Sequence, residues 1–145
     1  MLNRNGVAAF LGSLLAAALV SGSTVSIAAG AEKPPPSAAV AQLMMRDLIA
    51  GPDKEVVMLT VTYPPAGASL PHRHDAQVFV YVLEGELTMQ VRGSPAVTLR
   101  AGQTFYESPD DIHQVSANAS NTAPAKFLVV SIKDKAKPGS RSVAE

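Results

Sequence analysis

The stretch that decides the fold runs from Gly67 to Gly85 and reads GASLPHRHDAQVFVYVLEG. A loop rich in glycine and proline comes first, two histidines separated by one residue follow, and an apolar run then ends at a glycine. Valine and aromatic side chains favour strands, in which successive side chains point to opposite faces. The stretch therefore predicts a strand over residues 77–83, preceded by His72 and His74 on one face of extended chain.

Short apolar segments continue on both sides of this stretch, and Gly, Pro and Asp turns separate them at intervals of about ten residues, as in a sandwich or barrel. The predicted strands are residues 42–49, 55–63, 77–83, 86–91, 96–100, 103–106, 113–117 and 125–132. Residues 38–48 leave a short helix open as an alternative. We expect an all-β fold, with a single β-barrel over residues 42–132.

The composition narrows the classes of function. The 145 residues suit one domain, with 47% hydrophobic and 17% charged residues, and they contain no cysteine. A thiolate metal site and a cysteine nucleophile are thereby excluded. Twelve basic and twelve acidic residues balance, so nothing in the charge indicates nucleic acid or an anionic membrane surface as a partner.

The beginning of the chain has the layout of a secretory signal. Arg4 precedes an almost wholly apolar segment over residues 7–20, and the small residues Ala29-Gly30-Ala31 then precede Glu32. The apolar segment is shorter than the roughly 20 residues that span a bilayer, although a retained anchor is the alternative. We expect cleavage after Ala31, export to the periplasm or cell exterior, and no membrane attachment afterwards.

Two polar segments flank the predicted barrel. Residues 32–41 contain three consecutive prolines and are expected to form a stiff, extended leader. Residues 133–145 are polar and include Pro138-Gly139, so we expect a loose C-terminal tail there.

The three histidines of the chain form the strongest candidate site. His72 and His74 project together, and His113 begins a strand after the turn at residues 109–111. Neutral imidazoles suit zinc, iron, copper or nickel better than magnesium or calcium. In a barrel the strand of His113 can lie beside the first pair and complete one site, whereas an isolated His-x-His pair on a surface strand usually has no role.

Residues 67–85 resemble the first cupin motif, and residues 102–118, GQTFYESPDDIHQVSAN, resemble the second. The resemblance covers about residues 42–132 and is to small, single-domain type-2 cupins. It implies a jelly-roll barrel around one divalent metal ion, such as iron, manganese, zinc, nickel or copper. It also implies His72, His74 and His113 as three of four ligands, and a homodimer that pairs along residues 42–49.

Three positions depart from the motifs. The glutamate that the first motif usually supplies falls at Val78, which cannot bind a metal, so Gln77 becomes a candidate fourth ligand if the chain bulges there; water is the alternative. Asp110 stands where the second motif usually has glycine, and an aspartate tolerates turn conformations. Asn118 lies one residue later than the second motif usually has its asparagine, and we interpret it as a turn residue. Glu107, the only carboxylate of the second motif before the turn, is a candidate general base, with a half-exposed strand residue as the alternative.

Several functions are compatible with these observations. Three neutral ligands leave an open position and an uncompensated positive charge, as in catalytic sites. We expect a small metal-dependent enzyme of the oxygenase, isomerase or lyase type that acts on a small organic molecule. A non-catalytic module that binds or senses a metal or small ligand is the alternative, and a purely structural metal is a third possibility.

Overall fold

The computed structural model describes residues 34–143. The predicted signal peptide, residues 1–31, lies outside the described residues, and so do the last two residues of the predicted tail. Within residues 34–143 the structure contains no helix that is long and apolar enough to cross a membrane.

The described chain consists of β-strands, turns and loops, which confirms the all-β prediction. Its strands are β1 (Ala39–Leu48), β2 (Gly51–Tyr63), β3 (Ala68–Ser69), β4 (His72–Arg73), β5 (Ala76–Glu84), β6 (Glu86–Val91), β7 (Val97–Arg100), β8 (Thr104–Glu107), β9 (His113–Asn118), β10 (Ala125–Asp134) and β11 (Arg141–Ser142). They form two antiparallel sheets, as expected for a jelly-roll barrel.

The first sheet has the order β1-β2-β10-β5-β8. Strand β5, between β10 and β8, shows why the sequence folds this way, because Val78, Val80 and Val82 are buried whereas Phe79 and Tyr81 are exposed. Alternation of this kind places one face of a strand in the core and the other outside. The sheet therefore presents a valine-rich inner face to the interior.

The second sheet has the order β11-β4-β9-β6-β7, and β3 pairs with β9 as well. Leu87 and Met89 of β6 are fully buried on its inner face. They join a continuous core with Val82, Leu99 and Phe127. The two inner faces thus supply one core, which is what a single barrel requires.

The structure confirms one expectation near the ends of the described chain and corrects another. Residues 39–48 form an edge strand, which confirms the strand predicted over residues 42–49 and rules out the helix left open as an alternative, because β2 pairs with them along nearly their whole length. The predicted loose tail is ordered through residue 143: β10 runs on to Asp134, and Arg141 pairs with Arg73 of β4. An ion pair of 2.8 Å between Arg141 and Asp75 also ties the segment to the barrel.

Candidate metal centre

The three histidines come from neighbouring strands of the second sheet. His72 on β4 and His113 on β9 are Cα partners in the antiparallel ladder, and His74 follows β4 directly. Partners of this kind have side chains on the same face. One potential ligand atom from each histidine therefore lies within 4.8 Å of the others.

Backbone carbonyls orient two of the rings. His72 Nδ1 lies 2.8 Å from the carbonyl oxygen of Leu70, and His74 Nδ1 lies 2.7 Å from that of Gly139. Because a carbonyl oxygen only accepts, each Nδ1 donates and carries the proton. Each neutral ring then presents a free Nε2 lone pair, the arrangement found where a histidine binds a metal through Nε2.

The two Nε2 atoms face each other at 3.1 Å. With both protons held on Nδ1, no hydrogen bond can form between these atoms unless one ring is charged. Two nitrogens that share one divalent ion, each about 2.0–2.1 Å from it, lie roughly 3 Å apart. The observed separation therefore fits a shared ion, and a cation would remove the repulsion between the lone pairs.

His113 is buried, and neither of its ring nitrogens has a hydrogen-bond partner among the described residues. Buried imidazole nitrogens normally have a partner, so a pair of unpartnered ones needs an explanation. An ion held between His113 and the other two rings would supply it. The donor set therefore fits the divalent transition metal that the sequence predicts.

Burial also keeps one ring in the form that binds metals. It lowers the pKa of His72 below its ordinary value of 6.5, and the positive charge of His74 or His113, when protonated, lowers it further. The hydrogen bond to Leu70 and the nearby Glu107 oppose this shift in the pKa. His72 is therefore neutral near pH 7, as a metal-binding imidazole must be.

Glu107 lies among the imidazoles and is only 2% exposed. Its Oε2 atom is 3.1 Å from His113 Nδ1 and 3.8 Å from His74 Nε2. The alternative considered from the sequence, that Glu107 is a half-exposed strand residue, is thus wrong. A buried carboxylate in this place is available to the same ion or to a bound molecule.

The structure does not bring Gln77 to the histidines. The ladder of β5 with β10 pairs Gln77 with Ile132 without a bulge, and Gln77 is exposed while its neighbours Ala76 and Val78 are buried. A strand side chain next to two inward ones points outward. The bulge that a fourth ligand at Gln77 required is absent, so this expectation is corrected.

The turn before His113 is present as expected, and the end of its strand differs from expectation. Asp110 lies in that turn without positive φ, since Ala66 is the non-glycine residue with positive φ in the described chain. Asn118, expected to be an ordinary turn residue, is buried and donates to the carbonyls of Pro64 and Ala123. It therefore joins two loops beside the barrel.

A cavity of about 670 Å³ opens beside the histidines. Its walls are mainly valine, leucine and phenylalanine from β2, β5 and β10, including Val57, Leu59 and Phe127. Hydroxyl groups interrupt these walls: Ser69 Oγ is buried and has no hydrogen-bond partner within residues 34–143, and Tyr63 shares a hydrogen bond of 2.9 Å with Ser116. The cavity is large enough for a small organic molecule.

The C-terminal segment closes one side of this cavity. Gly139 and Ser140 line it, and the Gly139 carbonyl accepts the hydrogen bond from His74. Sequence analysis missed this contact, because a Pro-Gly pair in a polar stretch indicates a turn and carries no information about what it touches.

The geometry agrees with what comparisons with known proteins find. A family profile described as the cupin domain matches residues 59–131, which is half of the chain. No curated protein matches the sequence at a significant level.

Solved structures share the fold. A DMSP lyase from Ruegeria pomeroyi is 20% identical with a TM-score of 0.56, and the match covers 72% of this chain and 50% of the lyase. An oxalate oxidase is 28% identical with a TM-score of 0.56, over 77% of this chain and 57% of the oxidase. A polyketide cyclase from Streptomyces resistomycificus is 22% identical with a TM-score of 0.59, over 79% and 77%. The chain thus spans only about half the length of the first two.

Proposed function

Because the chain belongs to the cupin domain family, we propose that it is an exported metalloenzyme that acts on a small organic molecule. His72, His74 and His113 hold one divalent transition-metal ion, and the molecule binds in the cavity beside them. The observation that carries the proposal is the convergence of three imidazoles, each with one potential ligand atom within 4.8 Å of those of the others.

The cavity supports a ligand with a mainly apolar body and one or two polar groups. The walls from β2, β5 and β10 offer apolar contact area, and a polar group on the ligand can pair with Ser69 Oγ. A buried hydroxyl without a partner costs free energy until a ligand or water satisfies it. The oxygen-bearing end of the ligand then lies toward the histidines, and the apolar end lies against residues such as Phe127.

A divalent ion supplies Lewis acidity and, for iron, manganese or copper, one-electron chemistry. The residues of this chain exclude water with their apolar walls and orient the ligand through the hydroxyls of Ser69 and Tyr63. Oxygen-dependent oxidation is the first reaction to test, ahead of isomerisation or elimination. The 28% identity with an oxalate oxidase supports this order.

Metal content is the first test. We expect about one iron, manganese, zinc, nickel or copper per chain in purified protein comprising residues 32–145, measured by elemental mass spectrometry. The double variant His72→Ala, His74→Ala should lose it. Gln77→Ala is the matched control and should retain the metal, because Gln77 faces outward. If the wild-type chain contains no metal even after reconstitution, the proposal is refuted.

Catalysis is tested separately from binding. Metal-loaded protein should consume oxygen or convert members of a panel of small apolar acids, alcohols and phenols, while His113→Ala should not. A saturable ligand that binds in the cavity without turnover would instead favour the binding module. A large drop in thermal stability on metal removal, without chemistry or ligand binding, would favour a structural metal.

Export belongs to the same proposal. The basic start, the short apolar segment and the small residues that end at Ala31 support cleavage there. The intact mass of protein recovered from the periplasm or culture medium should correspond to a chain that begins at Glu32. A chain of full mass in the membrane fraction would instead indicate a retained anchor.

A homodimer completes the proposal. The edge strand β1 exposes Val40 and Leu43, and the outer face of β5 and β8 exposes Phe79, Tyr81 and Tyr106. Exposed apolar residues on an edge strand and a sheet face support association with a second copy. Light scattering after gel filtration should give twice the chain mass, and Leu43→Lys should shift it toward the monomer.

A further inference from the structure

We propose that Glu107 is the fourth protein ligand of the ion, so that β8 supplies the carboxylate and β5 does not. This inference rests on the proposed metal site and adds to it an anionic ligand on a strand outside the sheet that carries the histidines. It replaces both Gln77 as a ligand and Glu107 as a free general base.

The register of the strands puts Glu107 in reach. Val78 of β5 and Glu107 of β8 are Cα partners, and both are buried, with 1% and 2% of their surface exposed. Cβ atoms of directly opposite residues lie about 4.5–5.5 Å apart on the same face. A carboxylate at either position therefore enters the same part of the interior, next to the three imidazoles.

The contacts of Glu107 leave its charge without a permanent partner. Two imidazoles, those of His74 and His113, lie within 4.0 Å of Oε2, and neither lysine nor arginine does so among the described residues. Glu107 Oε2 lies 3.1 Å from His113 Nδ1, but the two atoms do not have hydrogen-bond geometry. Among the described residues His113 Nδ1 therefore has no hydrogen-bond partner. Buried carboxylates are paired or coordinate metals. An ion held among the three rings meets that need.

The ligand set follows from these atoms. Three neutral imidazoles and one carboxylate reduce the charge of a divalent ion from +2 to +1. A carboxylate also broadens the site toward manganese and iron, which accept oxygen ligands more readily than copper does. The site then resists loss of its metal more strongly than three histidines would, and it still has room for a ligand from the cavity side.

Metal titration of matched variants tests the assignment. We expect Glu107→Gln to bind Zn²⁺ at least about 100-fold more weakly than the wild type in calorimetry. Glu84→Gln is the control and should bind as the wild type does, because Glu84 is exposed at the end of β5. The double variant Val78→Glu, Glu107→Val should recover Zn²⁺ affinity to within about tenfold, since it moves the carboxylate to the opposite residue.

The stability of the metal-free variants gives a second readout, which should increase where metal affinity decreases. Glu107→Val removes a buried charge, so without metal it should unfold at a higher denaturant concentration than the wild type. Weaker metal binding together with greater stability separates a lost ligand from a damaged fold.

The crystal structure of the Zn²⁺-loaded protein decides between direct and indirect roles. We expect a Glu107 carboxylate oxygen at about 2.0–2.2 Å from zinc. A Glu107 oxygen more than 3 Å from zinc that accepts a hydrogen bond from His113 Nδ1 overturns the inference and makes Glu107 a positioning residue. Wild-type affinity in Glu107→Gln overturns it too. Failure of the wild type to bind any metal refutes the proposed function first, so the two failures are distinguishable.

Discussion

Two regions of the same interior differ in what fills them. Val82, Leu87 and Met89 are each completely buried and pack with Leu99; these four residues form the packed region. The cavity region holds His72, His74, His113 and Glu107 beside about 670 Å³ of space, and none of the packed four lines it. The barrel is thus closely packed in one part and open in another.

The difference separates stability from chemistry. Apolar side chains in the packed region lose only their hydration on folding, so they stabilise the barrel without metal or ligand. The cavity region contains unpartnered nitrogens and a buried carboxylate, which cost free energy in the metal-free protein. Natural proteins accept such groups where they bind something. We therefore expect substitutions in the packed region to lower the free energy of unfolding with little effect on metal binding. Substitutions of the histidines in the cavity region should do the reverse.

The largest effect on folding is expected in the packed region. Leu87→Ala should lower the free energy of unfolding of the metal-free protein by about 2–5 kcal/mol, because it leaves a cavity among fully packed neighbours. Denaturant titration in the presence of a chelator measures this loss. The folded variant should still bind one metal ion per chain. A loss below about 1 kcal/mol would break the distinction, since it would mean that this region is not closely packed.

The hairpin between β5 and β6 should respond nearly as strongly. Gly85 has φ of +74°, and an added Cβ would lie 2.6 Å from the carbonyl oxygen of Pro124. We expect Gly85→Ala to cost roughly 1–3 kcal/mol of unfolding free energy from backbone strain and steric overlap. Gly93→Ala is the matched control, because Gly93 has φ of +88° but no atom within 4 Å of the added Cβ. Equal losses in both variants would show that the overlap at Gly85 relaxes without cost.

The wall between the two regions should give an intermediate effect. Tyr63→Phe removes the hydroxyl that hydrogen-bonds to Ser116, and both residues are buried. The expected loss of unfolding free energy is about 1 kcal/mol, since Ser116 Oγ is left unpaired. A double-mutant cycle with Ser116→Ala measures the coupling, and a coupling near zero would mean that water replaces the lost bond.

Substitution of His113 should have the smallest effect on the free energy of unfolding and the largest effect on metal binding. His113→Ala removes two buried nitrogens that have no hydrogen-bond partner in the described part of the chain. The metal-free variant should therefore differ from the wild type by less than about 1 kcal/mol in unfolding free energy. Elemental analysis should find its metal content near zero. A severe loss of stability without metal would place His113 in the packed region instead.

Lowering the pH should destabilise the metal-free protein through His72, which lies in the cavity region. Burial lowers the pKa of His72 in the folded protein below 6.5, its ordinary value. Below pH 6.5 the unfolded chain binds a proton at His72 that the folded chain does not, so stability falls with decreasing pH toward the folded-state pKa. Metal-free wild type should thus lose more stability between pH 7.5 and pH 5.5 than His72→Asn. Parallel curves for the two proteins would contradict this assignment.

Most long strands could be predicted from the sequence, because alternation in segments such as residues 77–83 extends over several residues. Strands β3, β4 and β11 were missed, since a two-residue strand has no period to detect. Their pairing depends on partners far away in the chain, such as Ser142 opposite His72. The ordered C-terminal segment was missed for the same reason.

The metal site shows the same division. The spacing of His72 and His74 indicated a shared direction, and the structure places His113 opposite His72. Side-chain alternation also argues against Gln77 as a metal ligand. Positions 72, 74, 76 and 78 share the inner face, so position 77 points outward. The sequence offered Glu107 only as a candidate general base, because its distance from the histidines depends on the register of β8 against β5.

By itself, the sequence determined the all-β class and the shared direction of His72 and His74, since side-chain alternation is a local property of extended chain. Only the tertiary structure decided that Glu107 faces the histidines, that Gly139 holds His74, and that a cavity remains beside them. These features depend on strand register and on packing between residues distant in the chain. No local pattern of residues encodes either of them.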